Sequence, residues 1–211
     1  MELAQPSEVP EICRSHADDV ERLRTKLGLE RWGVVAHSAG TCLAIAYAAQ
    51  FADRLAALLL ITSPASYLVD VASDASTLSA ARMAEPAFTA AMSAFGAGPD
   101  TSSDETFQCL AGGDSSPRLR QMDETAQEHA RSGWYSMAAA RAFLSGEGPA
   151  DLLDRLHEVR APTLVIAGAQ DANIGVGPVV AVADLFPNGR AAVIEDCGHF
   201  RGSSNPPRSA M

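Results

Sequence analysis

The stretch from Trp32 to Phe51 constrains this chain more than any other. A short apolar run, Trp32-Gly33-Val34-Val35-Ala36, enters a tight turn at His37-Ser38-Ala39-Gly40. It leaves that turn as an alanine-rich helical stretch, Thr41 to Phe51. Apolar residues without polar alternation, several of them β-branched, predict a strand buried on both faces. A second such run, Leu55 to Thr62, comes at once and is stopped by Ser63-Pro64. Strand, helix and strand in such quick succession form the parallel crossover unit. The expected fold class is therefore α/β with a mainly parallel sheet.

The remaining chain extends this frame. Residues 1–15 are polar and proline-bearing and read as a loop. From His16 to Leu27 the spacing of Val20, Leu23 and Leu27 predicts a helix, with Gly28 placed to end it. Residues 65–150 lose β-branched residues in favour of alanine, serine, methionine and glutamate, which predicts a helical insertion. Pro162 then opens a third strand, Thr163 to Gly168, with a helix near Val179–Phe186 and a fourth strand, Ala191 to Glu195, after it. After His199 the chain turns to Gly, Ser, Asn and Pro, without a regular pattern. The expected organisation is a core in two parts, 1–64 and 151–211, interrupted by the insertion at 65–150.

Composition narrows the function classes. With 47% hydrophobic and 20% charged residues among 211, the chain reads as globular. Sixteen basic residues against twenty-six acidic ones give a net charge of -10, so no basic stripe is available to displace counterions from a nucleic acid. The N-terminus has no signal-peptide pattern, and no apolar stretch reaches membrane-spanning length. Cys13, Cys42, Cys109 and Cys197 lack zinc-ligand spacing and read as small, buried, reduced side chains. These features predict a cytoplasmic protein with no metal, no cofactor, no nucleic-acid partner and no membrane partner.

The chemistry is expected at Ala36-His37-Ser38-Ala39-Gly40. A serine held in a strained strand-to-helix turn needs small residues two positions to either side. The turn lifts the hydroxyl above the sheet edge and sets the Ala39 N–H at a helix N-terminus, where negative charge is stabilised. Serine is a poor nucleophile until an oriented base takes its proton. His199, in Cys197-Gly198-His199-Phe200, and Asp171, in Gly168-Ala169-Gln170-Asp171, each come just after a predicted strand. C-terminal strand ends of a parallel sheet gather on one edge. Asp196 is a rival acid, too near His199 along the chain to support it easily. His37 reads as a packing residue, His16, His129 and His157 as surface residues, and Cys197 as a packed small side chain.

These segments resemble the α/β-hydrolase superfamily: Leu29 to Gly40, Ala161 to Asp171, and Cys197 to Phe200. The likeness runs from about residue 13 to residue 200, and the subgroup it looks most like is the prolyl-iminopeptidase-like peptidases with their esterase relatives. The resemblance implies Ser38 as nucleophile, His199 as general base and then acid, Asp171 as its orienting partner, and Ala39 as an oxyanion-hole donor. It implies that residues 65–150 form a helical cap over the site. Glu85, Glu105, Glu124 and Glu128 are present in that stretch but match no family motif. The implied substrate is a small-molecule ester or a short peptide, cleaved through an acyl-enzyme.

The chain departs from the family at both ends. Thirty-seven residues precede Ser38, and none reads as the upstream loop that gives the second oxyanion donor. No helix is expected after the histidine block. The sequence thus looks trimmed, and losing one oxyanion donor costs about a hundred- to a thousand-fold in rate. The alternative expectation is a catalytically weak or inactive fragment serving as an interaction module. Missing strands would also leave Trp32–Ala36 as an exposed sheet edge, open to self-association.

Overall fold

The computed structural model describes residues 11–97, Ser136, Ala138 and 151–199. Helix α1 spans Glu11–Lys26, strand β1 Trp32–His37, helix α2 Gly40–Gln50 and strand β2 Leu55–Ile61. Helices α3 (Ala75–Arg82) and α4 (Pro86–Ala97) come next, then α5 (Leu152–Leu156), β3 (Thr163–Gly168), α6 (Gly177–Ala181) and β4 (Gly189–Ile194). The sheet has four strands in the order β1-β2-β3-β4, with β1 and β2 parallel and β2 and β3 parallel. The α/β fold with a parallel sheet is the one expected. Much of the helical insertion expected at 65–150, with Glu105, Cys109, Glu124, Glu128 and His129, lies outside the described residues. No helix among the described residues is long and apolar enough to cross a membrane.

Two expectations need correction. Residues 1–15 read as a loop, yet α1 already begins at Glu11. In the sequence, proline and then an acidic residue stand at this point, residue types that helix starts favour. The β1 strand reads as buried on both faces, but only one of its faces is covered. Val35 is 67% exposed, whereas Val34 and Ala36 are half-buried.

The registers explain this difference. Val34 pairs with Leu58, which pairs with Thr163; Ala36 pairs with Leu60, which pairs with Val165. These rows form the covered face, where α2 packs against β1 and β2, and Leu58, Leu60, Thr163 and Val165 are all buried. The alternate row, Val35, Leu59 and Leu164, faces the other way, and Val35 and Leu164 are exposed. Gly33 and Ala57 lie on the same exposed face, at the floor of an open groove that Pro162, Pro187 and Arg190 also line.

A polar network fixes α1, α2 and β1 in place. Tyr47 is fully buried on α2, and its hydroxyl accepts from Trp32 Nε1 at 3.0 Å and donates to Glu21 Oε2 at 2.9 Å. Arg24 grips Glu21 through Nε at 2.9 Å and Nη2 at 2.6 Å, and donates to the Leu29 and Glu30 carbonyls. Gly28 lies between, at φ +69°, the left-handed conformation that ends a helix and that glycine adopts without cost. Trp32 and Phe51 pack against the Tyr47 ring at centroid distances of 6.0 and 5.3 Å. The polar groups of this network are thus satisfied, as a packed interior requires.

Contacts divide the chain into two units. The first comprises 1–73, 142–167 and 177–193, and the second 74–141, 168–176 and 194–211.

Candidate active site

Ser38 belongs to the first unit and lies between β1 and α2. Its φ is +51°, a conformation that a non-glycine residue rarely holds and that strand-to-helix turns impose. The Ser38 N–H donates to the Ile61 carbonyl at 2.9 Å, continuing the β1–β2 pairing one residue past the strand. Its carbonyl accepts from the Thr41 amide at 2.9 Å and the Thr41 hydroxyl at 2.6 Å. Ala39 comes next in helical conformation, in the opening turn of α2, where N–H groups have no intrahelical acceptor.

The steric demand expected at Gly40 is not met by the described residues. Gly40 is exposed, and a Cβ there would meet no heavy atom within 4 Å. Small size at Gly40 is therefore not enforced by crowding among those residues. The strain at Ser38 is held by hydrogen bonds instead.

Asp171 and His199 both belong to the second unit, and the structure brings them together. His199 Nδ1 lies 2.8 Å from Asp171 Oδ2, and each residue is 1% exposed. The other carboxylate oxygen accepts the N–H groups of Asn173 at 3.0 Å and Ile174 at 3.1 Å. With both oxygens engaged the carboxylate is held in place facing Nδ1 of His199. Asp196, the rival acid, is exposed, and its φ of +52° turns the chain just before Cys197.

The loops that carry this pair are tied by backbone. Ala169 N–H donates to Ile194 O at 3.0 Å, and Gln170 N–H to Cys197 O at 2.8 Å. Gly168 allows this close passage, because a Cβ there would lie 2.3 Å from the Gly198 carbonyl oxygen and 2.6 Å from that of Cys197. Two further residues brace the acid loop, one just before α3 and one within it. Asp74 Oδ1 accepts the Val176 N–H at 2.7 Å, and Ser79 Oγ donates to the Ala172 carbonyl at 3.2 Å. Sequence reasoning missed both, since a contact across about a hundred residues leaves no local pattern.

The other sequence candidates have plainer settings. Cys42 and Cys197 are buried thiols outside any disulfide, and burial pushes the Cys42 thiol up, which leaves it a poor nucleophile. His37 is half-buried, while His16 and His157 are exposed. Glu85 pairs with Arg82 at 3.2 Å. Among the described residues, no group of three His, Cys, Asp or Glu side chains could hold a metal ion.

The chain is similar to several solved structures. It matches a carboxylesterase of the thaumarchaeon Nitrososphaera gargenis at TM-score 0.58 and 18% identity, covering 92% of this chain and 66% of that one. It matches an esterase of Thermogutta terrifontis at TM-score 0.56 and 26% identity, covering 93% and 68%. A meta-cleavage product hydrolase matches at TM-score 0.56 and 15% identity, covering 94% and 68%. Across such matches the chain spans 63% to 71% of the other protein's length. No curated protein sequence matches it. A family model described as the alpha/beta hydrolase fold matches residues 7–205, nearly the full length, and the chain belongs to that family.

Proposed function

We propose that the protein is a serine hydrolase that cleaves an ester through an acyl-enzyme, with Ser38, His199 and Asp171 as its triad. The observation that supports this reading best is the buried His199–Asp171 pair at 2.8 Å. In the proposed reaction His199 Nε2 takes the Ser38 hydroxyl proton as Oγ attacks the substrate carbonyl, and Asp171 stabilises the imidazolium that forms. The Ala39 N–H donates to the developing oxyanion. His199 then returns the proton to the leaving alcohol, and water, activated the same way, releases the acid and restores Ser38.

Esters are favoured over amides because similar structures named for an activity include a carboxylesterase and an esterase. A prolyl-iminopeptidase-like activity is the narrower alternative within the same mechanism, and no described residue specifically favours it. A serine-directed fluorophosphonate tests the assignment directly. It is expected to label Ser38 in the wild-type chain and leave Ser38→Ala unlabelled. Label elsewhere, or label persisting in Ser38→Ala, would remove Ser38 from the role.

A further inference from the structure

Two buried hydroxyls next to the Ser38 turn have no part in the proton transfers of the proposed triad. Thr41 and Ser63 are both fully buried, and their hydroxyl oxygens lie 2.8 Å apart. Thr41 Oγ1 also donates to the Ser38 carbonyl at 2.6 Å. Since that one hydrogen is spent on Ser38, Ser63 donates to Thr41, and the order runs Ser63 to Thr41 to Ser38. The chain of hydroxyls thus joins the end of β2 to the turn after β1.

Its Ser38 end is strained, and so is the residue beside its Ser63 end. Ser38 has φ +51° and Thr62, next to Ser63, has φ +46°. For a β-branched residue such as Thr62 this conformation is an outlier. Each such residue costs about 1–3 kcal/mol and persists only where the surroundings over-determine it. The Thr62 N–H is fixed by the Ile166 carbonyl at 2.8 Å and that of Ser38 by the Ile61 carbonyl at 2.9 Å. Those bonds set where the two strands end. The carbonyl side of the Ser38 turn is held by Thr41.

We infer that Thr41 and Ser63 are positioning residues whose hydroxyl relay holds Ser38 in its strained turn, an inference that rests on Ser38 being the nucleophile. An ordinary core would fill these places with apolar side chains, because a buried hydroxyl needs a partner to be neutral in cost. Here the partners are each other and the strained residue. Removing the Thr41 hydroxyl loosens the hold on the Ser38 carbonyl and takes from Ser63 its acceptor. The turn then relaxes toward less strained angles, and the Ser38 side chain moves with it.

The test compares Thr41→Val, which keeps the shape, with Thr41→Ser, which keeps the hydroxyl, and with Ser63→Ala. Saturation kinetics of fluorophosphonate labelling separate the maximal rate at Ser38 from reagent affinity. The maximal rate is expected to fall about 10-fold or more in Thr41→Val, with affinity unchanged and Thr41→Ser close to wild type. Ser63→Ala is expected to fall in the same direction by less, and it serves in its place if Thr41→Val does not fold. Hydrogen exchange is measured on the same variants. Faster exchange confined to residues 38–42 is expected in Thr41→Val, with the rest of α2 protected as before. Equal labelling rates, or a loss that Thr41→Ser does not restore, would overturn the inference. A wild-type chain unlabelled at Ser38 would instead refute the nucleophile assignment, and unchanged exchange at 38–42 would then refute the relay on its own.

Discussion

His199 and Asp171 are buried together, so changing either strands a polar partner without water. Asp171→Asn keeps the shape but offers an amide where the imidazole needs an anion. Ester turnover is expected to fall by about 10⁴, measured as kcat, while Asp196→Asn, on an exposed residue, changes it little. The opposite ranking would identify Asp196 as the working acid. Gly168→Ala probes the same pair from behind. The added methyl must displace the Gly198 and Cys197 carbonyls, so the variant is expected to lose about 1–3 kcal/mol in urea unfolding and to weaken the Asp171–His199 bond, visible in the Nδ1 proton resonance. Of this local geometry, the parts legible in the sequence are those tied to strand ends: a serine in a tight turn, and an acid and a histidine, just past later strands, that meet. Ser63, Asp74 and Ser79 stay hidden there, because their partners lie far along the chain. The sequence also suggests the wrong reason for Gly40, whose side is open among the described residues.

Between elements, the Glu21–Arg24–Tyr47 network makes stability depend on pH. Burial, and then the bond to the Glu21 carboxylate, push the Tyr47 hydroxyl up to about 12 from an ordinary 10.0. A group whose folded value is raised stabilises the fold fully below the unfolded value and stops doing so as pH rises through the folded one. Stability is therefore expected to be level up to about pH 10 and to decline between about 10 and 12, as read by urea unfolding. Tyr47→Phe should flatten that decline while costing about 1–3 kcal/mol at neutral pH, because the Glu21 and Trp32 groups lose its hydroxyl. The Arg24 guanidinium holds the Glu21 carboxyl below the usual value of 4.5, so its contribution is present above that pH and is lost on acidification below it.

The elements themselves are largely legible in the sequence. Apolar runs of strand length stand out between Gly, Pro and Ser stops, so β3 matches its expected span and β1 and β2 differ by a residue at the end. The start of α1 is hidden because its first turns carry only Ile12, Cys13 and Ala17 as apolar residues, a weak stripe among polar ones. The uncovered face of β1 is hidden for a deeper reason. An apolar run states what a strand would bury, and not whether anything arrives to bury it against.

At the scale of the whole molecule that face governs behaviour in solution. Val35 and Leu164 are exposed on one side of the sheet, and β1 is a terminal strand in it among the described residues. Exposed apolar sheet surface beside a sheet edge favours association. Light scattering of the purified chain is expected to show oligomers that grow with concentration, and Val35→Lys is expected to reduce them without lowering thermal stability by more than about 0.5 kcal/mol. A monomer at all concentrations would show that this face is tolerated in water.

The division into units has a consequence for the chain's synthesis. Each unit draws on three separate segments, and the first is not complete until Val193 has been made. A ribosome releases residues in order, and domains made of one continuous segment fold as they emerge. Here β1 and β2 emerge early and must wait for β3, which begins only at Thr163, before the sheet can extend. A backbone cut anywhere from Asp74 to Val193 leaves neither piece with a whole unit. Folding is thus deferred until Val193 has left the ribosome, and the nascent chain carries its apolar strands without their third partner for most of that time.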